Sequence, residues 1–122
     1  VRYVTESEWP WNCTGAIDLD AAIAAMATSH PEIRACYERA LARDPALSGR
    51  VVIAMRVSDG GAVDDVDVRS EWSDGETLEC MRAAARATHF PPPSPSGTCA
   101  VISAPMNFRP RARATTQPPM SE

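Results

Sequence analysis

The chain has 122 residues, 44% of them hydrophobic, and a formal net charge of −4. That length suits one domain with one modest core, and no apolar run approaches the roughly 20 residues of a membrane span. All twelve basic residues are arginine, scattered among acids until the tail, which argues against a nucleic-acid footprint. The chain begins with Val1 rather than Met, as expected of a fragment or a processed form; if the parent has a signal or anchor, it lies outside this sequence.

Residues 1–16 read as an extended arm. A short alternating piece, "VRYVT", precedes two tryptophans that flank Pro10, and an unpacked tail rarely carries such residues. Asn12-Cys13-Thr14 matches a glycosylation sequon, to which little weight is given. The domain proper is expected over residues 17–109, with 110–122 a flexible, solvated tail lacking periodicity.

The first helical pattern places Leu19, Ile23 and Met26 at helical spacing, with Asp18 or Asp20 as N-cap. Pro31 interrupts it and suits the first turn of a new helix, where its missing N–H costs little. Ile33, Cys36, Tyr37, Ala40 and Leu41 then form one apolar stripe. Asp44-Pro45 ends that helix, because the residue before proline avoids the α region.

After Ser48-Gly49 the period switches to two. Val51, Ile53, Met55 and Val57 point one way along a strand of about Arg50–Ser58, and Asp59-Gly60-Gly61 signals a hairpin. The return strand, Val63 to Ser70, puts Asp64, Val66, Val68 and Ser70 on one face and Asp65, Asp67 and Arg69 on the other. One face is therefore wet, and helices are expected on one side of the sheet only. Trp9 and Trp11 are available to cover part of the open face or a partner.

Ser73 and Glu76 form an S-x-x-E capping box, opening a helix to about Thr88 with Leu78, Met81, Ala85 and Thr88 at the buried spacing. Trp72, just before it, is expected to pack against this helix. "FPPPSPSG" is a loop. Alternation resumes in the last strand, with Ile102, Ala104, Met106 and Phe108 on one side. Pro105 lies within it and cannot donate to a ladder, so this strand is expected at the sheet edge with Pro105 facing out or bulged. The fold class read from these elements is α+β, in the order α-β-β-α-β, with a three-stranded antiparallel sheet whose middle strand is the first of the hairpin.

Cys13, Cys36, Cys80 and Cys99 contain no C-x-x-C spacing. An even number of widely spaced cysteines in a small chain favours two disulfides and an oxidising compartment over a zinc or thioredoxin-type site or four reduced, buried thiols. His30 and His89 stand beside helix ends with no nucleophile partner in sequence, so no catalytic set can be assembled and no enzyme is expected. Asp59, Asp64, Asp65 and Asp67 lack the order of a calcium loop and read as a solvated face. No metal or other cofactor is implied.

The run Cys36-Tyr37-Glu38, Leu41, Pro45 and Leu47-Ser48-Gly49-Arg50-Val51, followed by Gly61, Cys80, Phe90-Pro91, Pro93 and Pro105, carries a family signature over about residues 19–108. It resembles the TonB C-terminal-like domains, and within them the AgmX/PglI C-terminal branch of myxobacterial motility proteins. Trp72, the less aromatic ending "AVISAPMNF", and the additional Cys13 and Cys99 depart from that pattern.

The resemblance implies a periplasmic or cell-envelope module, of a kind associated with motility or transport, that binds an envelope protein or peptide by adding a strand at an exposed sheet edge. Such recognition rests on backbone hydrogen bonds. The edge expected to serve is Cys99, Ala100, Val101, Ile102, Ser103 and Ala104, since Pro105 removes one donor. The alternative is a structural or oligomerisation domain of a secreted protein or lipoprotein, with that edge occupied by the chain's own arm or by a second copy as a homodimer. A membrane would be reached only through an anchor outside this sequence.

If both helices cover one sheet face, Cys36 and Cys80 meet there, and a bridge closing roughly 45 residues contributes about 3–5 kcal/mol. Cys13 then pairs with Cys99, tying the arm beside the last strand. This is one of the three pairings that four cysteines permit.

Overall fold

A computed structural model of the chain describes residues 9–110. The "VRYVT" segment, and Arg111 and Arg113 of the tail, lie outside the described residues. The elements are α1 (Leu19–Leu41), β1 (Gly49–Val57), β2 (Val63–Ser70), α2 (Gly75–Arg86) and β3 (Ala100–Phe108). The three strands form one antiparallel sheet in the order β2-β1-β3, so β1 is central. This is the α+β fold and element order that the periodicity predicts.

β1 sets the core because its alternation is strict. Val51, Ile53, Met55 and Val57 are all fully buried. Ile33, Cys36 and Tyr37 from α1, Met81 and Ala85 from α2, and Ile102 and Phe108 from β3 join them in one cluster. Both helices thus cover the same sheet face. Cys36 and Cys80 are bridged across them, with Cα atoms 5.8 Å apart, and Cys13 is bridged to Cys99 with Cα atoms 5.0 Å apart. Two disulfides fit an oxidising, extracytoplasmic environment. Among the described residues no helix is long and apolar enough to cross a membrane.

Tyr37 explains the aromatic beside the helix cysteine. Its ring stacks on Trp72 and tilts against Phe108, with centroids 5.7 and 4.9 Å away. Its hydroxyl donates to the Leu47 carbonyl at 2.5 Å, fixing the loop that turns α1 into β1. Burial raises its pKa above the ordinary phenol value, with the nearby Arg34 charge opposing the shift and that of Asp44 adding to it. Trp72 thus packs on Tyr37 and Phe108.

Three local expectations are corrected. Pro31 does not start a second helix; α1 runs through it as one element. Its ring is solvent-exposed, and tertiary ties hold both flanks: Thr88 Oγ1 donates to Ser29 Oγ at 2.9 Å, and the Cys36–Cys80 bridge follows one turn later. The N-cap of α2 is Asp74, not Ser73. Its carboxylate accepts from the Thr77 amide at 3.1 Å and from Arg43 at 2.7 Å, and negative charge is favourable at a helix N-terminus.

The third correction concerns Asp64. The β1–β2 register shifts between Arg56 and Val57, so Arg56 faces Asp65 while Val57 faces Val63. The extra residue is Asp64, which leaves the Val66 face and forms an ion pair with Arg56. A bulge of this kind lets Val63 and Val66, three positions apart, both reach the core.

The other sheet face is mostly solvated, but the arm crosses it. Trp9 is only 4% exposed and packs on Ala54 and Val101, with Val52, Trp11 and Cys13 around it. The Arg69 guanidinium lies 3.8 Å from the Trp9 ring centre, a cation–π contact. Trp11 donates to Asp65 at 2.9 Å, and this bond, followed by the Val66 amide, holds the Asp65 carboxyl below its ordinary pKa.

Candidate functional site

A three-stranded sheet has two edges, and here they are treated differently. Which backbone groups face outward follows from one hairpin contact. The Ser58 amide donates to the Ala62 carbonyl at 2.8 Å, so Ser58 bonds toward β2. Successive residues of a strand alternate their N–H and C=O between neighbours. Arg56, Ala54 and Val52 therefore also bond toward β2, and Val57, Ile53, Met55 and Val51 bond toward β3. Gly61 makes the turn possible, with φ +94° and a Cβ site only 2.1 Å from the Phe90 carbonyl oxygen.

The β2 edge is capped at Asp64 and Val66 by the protein's own side chains. Val66 is outward-facing by this alternation. Its amide donates to Asp65 Oδ1 at 2.9 Å, and its carbonyl accepts from Arg82 of α2. Arg86 reaches the Asp64 carbonyl at 3.4 Å. Charged side chains folded over an edge are a common protection against strand pairing.

Among the described residues, the outer edge of β3 has no strand partner. In the β1–β3 register Val57, Met55, Ile53 and Val51 face Ala100, Ile102, Ala104 and Met106, which makes these the bonded pairs. Val101, Ser103, Pro105 and Asn107 consequently direct their backbone groups away from the sheet. Among the described residues, no backbone group pairs with them. Pro105 stands opposite Val52 in a pair that exchanges no bonds, so its missing N–H costs the sheet nothing. It removes one donor from the outer edge and leaves its carbonyl there.

The predicted edge residues divide accordingly. Ala100, Ile102 and Ala104 bond inward, and their side chains share the helix-facing side. Ser103 presents outward N–H and C=O groups; Val101 has the same orientation but is fully buried, packed with Trp9. Cys99 precedes β3; its carbonyl accepts from the Gly15 amide at 2.7 Å and its sulfur is bridged to Cys13, so the arm has taken this end of the edge. The accessible stretch is Ser103 to Asn107, shifted toward the strand's C-terminus from the Cys99–Ala104 span that the sequence suggests. Asn107 was missed because Pro105 reads as a terminator when its orientation is not known.

Beside this edge lies a cleft of 690 Å³ between α1 and β3. Leu19, Ile23 and Met26 form one wall, and Ile102, Ala104 and Met106 form the other. The first helical stripe thus lines a groove instead of filling the core; only its neighbour Ala22 is fully covered. Ile23 is 59% exposed, the sole large hydrophobic residue so exposed among those described. The i, i+4, i+7 spacing of Leu19, Ile23 and Met26 is legible, but a half-filled stripe and a filled one give the same sequence signal.

The polar side chains elsewhere form no reactive set. Among the described residues no group of three or more potential ligands could hold a metal ion. Asp64 pairs with Arg56 and Asp67 with Arg69. His30 lies at the cleft rim, and the backbone of His89 bridges to Ala62.

No family model, curated protein or solved structure matches the chain.

Proposed function

We propose that this chain is a non-enzymatic interaction module of TonB-like type, working in the periplasm or cell envelope, which binds an extended segment of a partner protein as a fourth strand along β3. The observation that carries this reading is the asymmetry of the sheet: Asp65, Arg82 and Arg86 cap the β2 edge at Asp64 and Val66, and β3, among the described residues, has no strand partner from Ser103 to Asn107, beside an apolar cleft. Strand addition needs both parts, main-chain groups for affinity and pockets for alternate side chains. The sequence resemblance supports the same reading, and the two disulfides fit its compartment.

A second reading has one observation in its favour. Cys13 and Gly15 already hold the start of the β3 edge, so the arm, or a second copy, is placed to occupy more of it in a structural or oligomerisation domain.

A tiled array of envelope-protein peptides probed with the labelled protein separates the two. Captured peptides whose binding perturbs the amides of Ser103 and Asn107 support strand addition. A ligand-free dimer using the same amides, with no peptide captured, supports the second reading and defeats the first.

A further inference from the structure

The apolar cleft ends in positive charge. Arg34 lines it on α1, with its guanidinium 5.8 Å from the Tyr37 ring centre, and that ring lies 4.9 Å from Phe108 at the end of β3. Asn107 and Phe108 also line an adjoining hollow of 410 Å³, whose walls carry Arg50 and Arg109. Both arginines are exposed, and among the described residues neither forms an ion pair. No described acidic side chain lines either hollow. In a chain of net charge −4, the Phe108 end of the β3 edge is thus a local basic patch.

Arg34 is incompletely engaged. Its Nε is 3.4 Å from Glu38 Oε2, an ion pair by distance, yet the same buried Nε makes no hydrogen bond. A buried donor without an acceptor is costly, so a carboxylate brought to it gains more than one meeting an already satisfied arginine. The Glu38 contact is a part-exposed i, i+4 pair, which holds weakly.

We propose that the segment added along β3 carries an acidic residue opposite Phe108, whose carboxylate Arg34 receives, with Arg109 and Arg50 adding to the attraction. This deepens the strand addition proposed above and rests on it. Phe108, Met106 and Ala104 all pack on the helix side of the sheet, and facing residues of paired strands share a side. The partner residues opposite Met106 and Ala104 therefore meet the apolar wall of Ile23 and Met26, and the residue opposite Phe108 falls at Arg34. Such a segment is acidic at one end and apolar at the next two alternate positions.

Three competing occupants fit less well. The β3 strand of a second copy, "AVISAPMNF", contains no acid. Glu6 and Glu8 lie within three residues of Trp9, which packs on Val101. Three residues reach roughly 10 Å, and the strand from Val101 to Phe108 is about 23 Å long. The sequence after Pro110 places Arg111 and Arg113, like in charge to the patch, before its single acid, Glu122.

Peptides of seven residues with both termini capped test this. Valine stands at the third and fifth positions, serine or glutamine elsewhere, and glutamate, glutamine or lysine at the first. A second set carries the same three residues at the last position instead, for a strand running the other way. Affinities are read from the shifts of the Ser103 and Asn107 amides as each peptide is titrated into the full chain. In one set, the glutamate peptide is expected to bind about threefold more tightly than the glutamine peptide and about tenfold more tightly than the lysine peptide, as exposed ion pairs allow. The net charge of −4 by itself favours lysine, so this order reports the local patch. The preference shrinks in roughly 0.5 M salt, and it shrinks in the Arg34→Gln, Arg109→Gln double variant. Equal affinities within both sets overturn the acidic requirement and leave strand addition standing. Binding of no peptide defeats both. A glutamate preference undiminished in the folded double variant also overturns the proposal.

Discussion

Pro105 stands opposite Val52 in the β1–β3 ladder, in a pair that exchanges no hydrogen bonds. A residue that should break a strand is thereby placed where it breaks nothing, and the next inward residue, Ala104, faces Ile53 in a bonded pair. This alternation makes a sharp contrast between neighbours. Ala104→Pro removes a ladder bond and leaves the Ile53 carbonyl without its donor, which is expected to cost about 1–3 kcal/mol. Ser103→Pro removes only an outward donor, so its denaturant midpoint should stay clearly closer to wild type, while binding at the edge is lost. Equal destabilisation by the two prolines would show that the outward assignment is wrong.

Removing the helix bridge with Cys36→Ala and Cys80→Ala together should lower stability by about 4 kcal/mol, since the cysteines are 44 residues apart. Urea unfolding of the double variant measures this directly. Peptide mapping without reduction should recover the 13–99 and 36–80 links; recovery of 13–36 or 80–99 contradicts the fold.

Tyr37→Phe keeps the stack with Trp72 and Phe108 and deletes only the hydroxyl bond to the Leu47 carbonyl. The expected loss is about 1–2 kcal/mol, because that carbonyl is part-buried and left without its donor. A loss no larger than a few tenths of a kcal/mol would mean that water replaces the hydroxyl.

Stability should fall in acid through two carboxylates. The Arg43 guanidinium, then the Thr77 amide, hold the Asp74 carboxyl below its ordinary pKa of 3.8, and Trp11 does the same for Asp65. A carboxyl with a lowered folded pKa stabilises the protein above its unfolded pKa. That contribution is lost as pH falls through the folded value. Thermal midpoints should therefore drop steeply below about pH 4, and less so in the Asp65→Asn, Asp74→Asn double variant. An unchanged slope counts against these contacts.

How far the molecule can be read from its sequence depends on whether a signal is local. The β1 alternation at Val51, Ile53, Met55 and Val57 is local and buried on one face, and it predicts the central strand directly. Element order and the edge position of β3 follow from periodicity and Pro105. The bulge at Asp64 does not, because "VDDVDV" alternates acceptably in more than one register until Val57 must meet Val63. Pro31 reads as a break because its tolerance comes from distant partners, Thr88 and Cys80. Asp74 loses to Ser73 in the capping pattern because the Arg43 contact that favours it comes from 31 residues away. At the candidate site, the strand was legible and the groove was not. Leu19, Ile23 and Met26 form the same stripe whether a partner or the core covers them.

The central claim is that the outer edge of β3 is unpaired in the free protein and pairs with an added strand. Hydrogen exchange at single amides tests it most directly. In the free protein, the amides of Ser103 and Asn107 should exchange fast, and those of Ile102, Ala104 and Met106 slowly; a bound extended peptide should protect the first set without changing the second. Protection of Ser103 and Asn107 in the peptide-free monomer, or no gain when peptide is bound, would contradict the account.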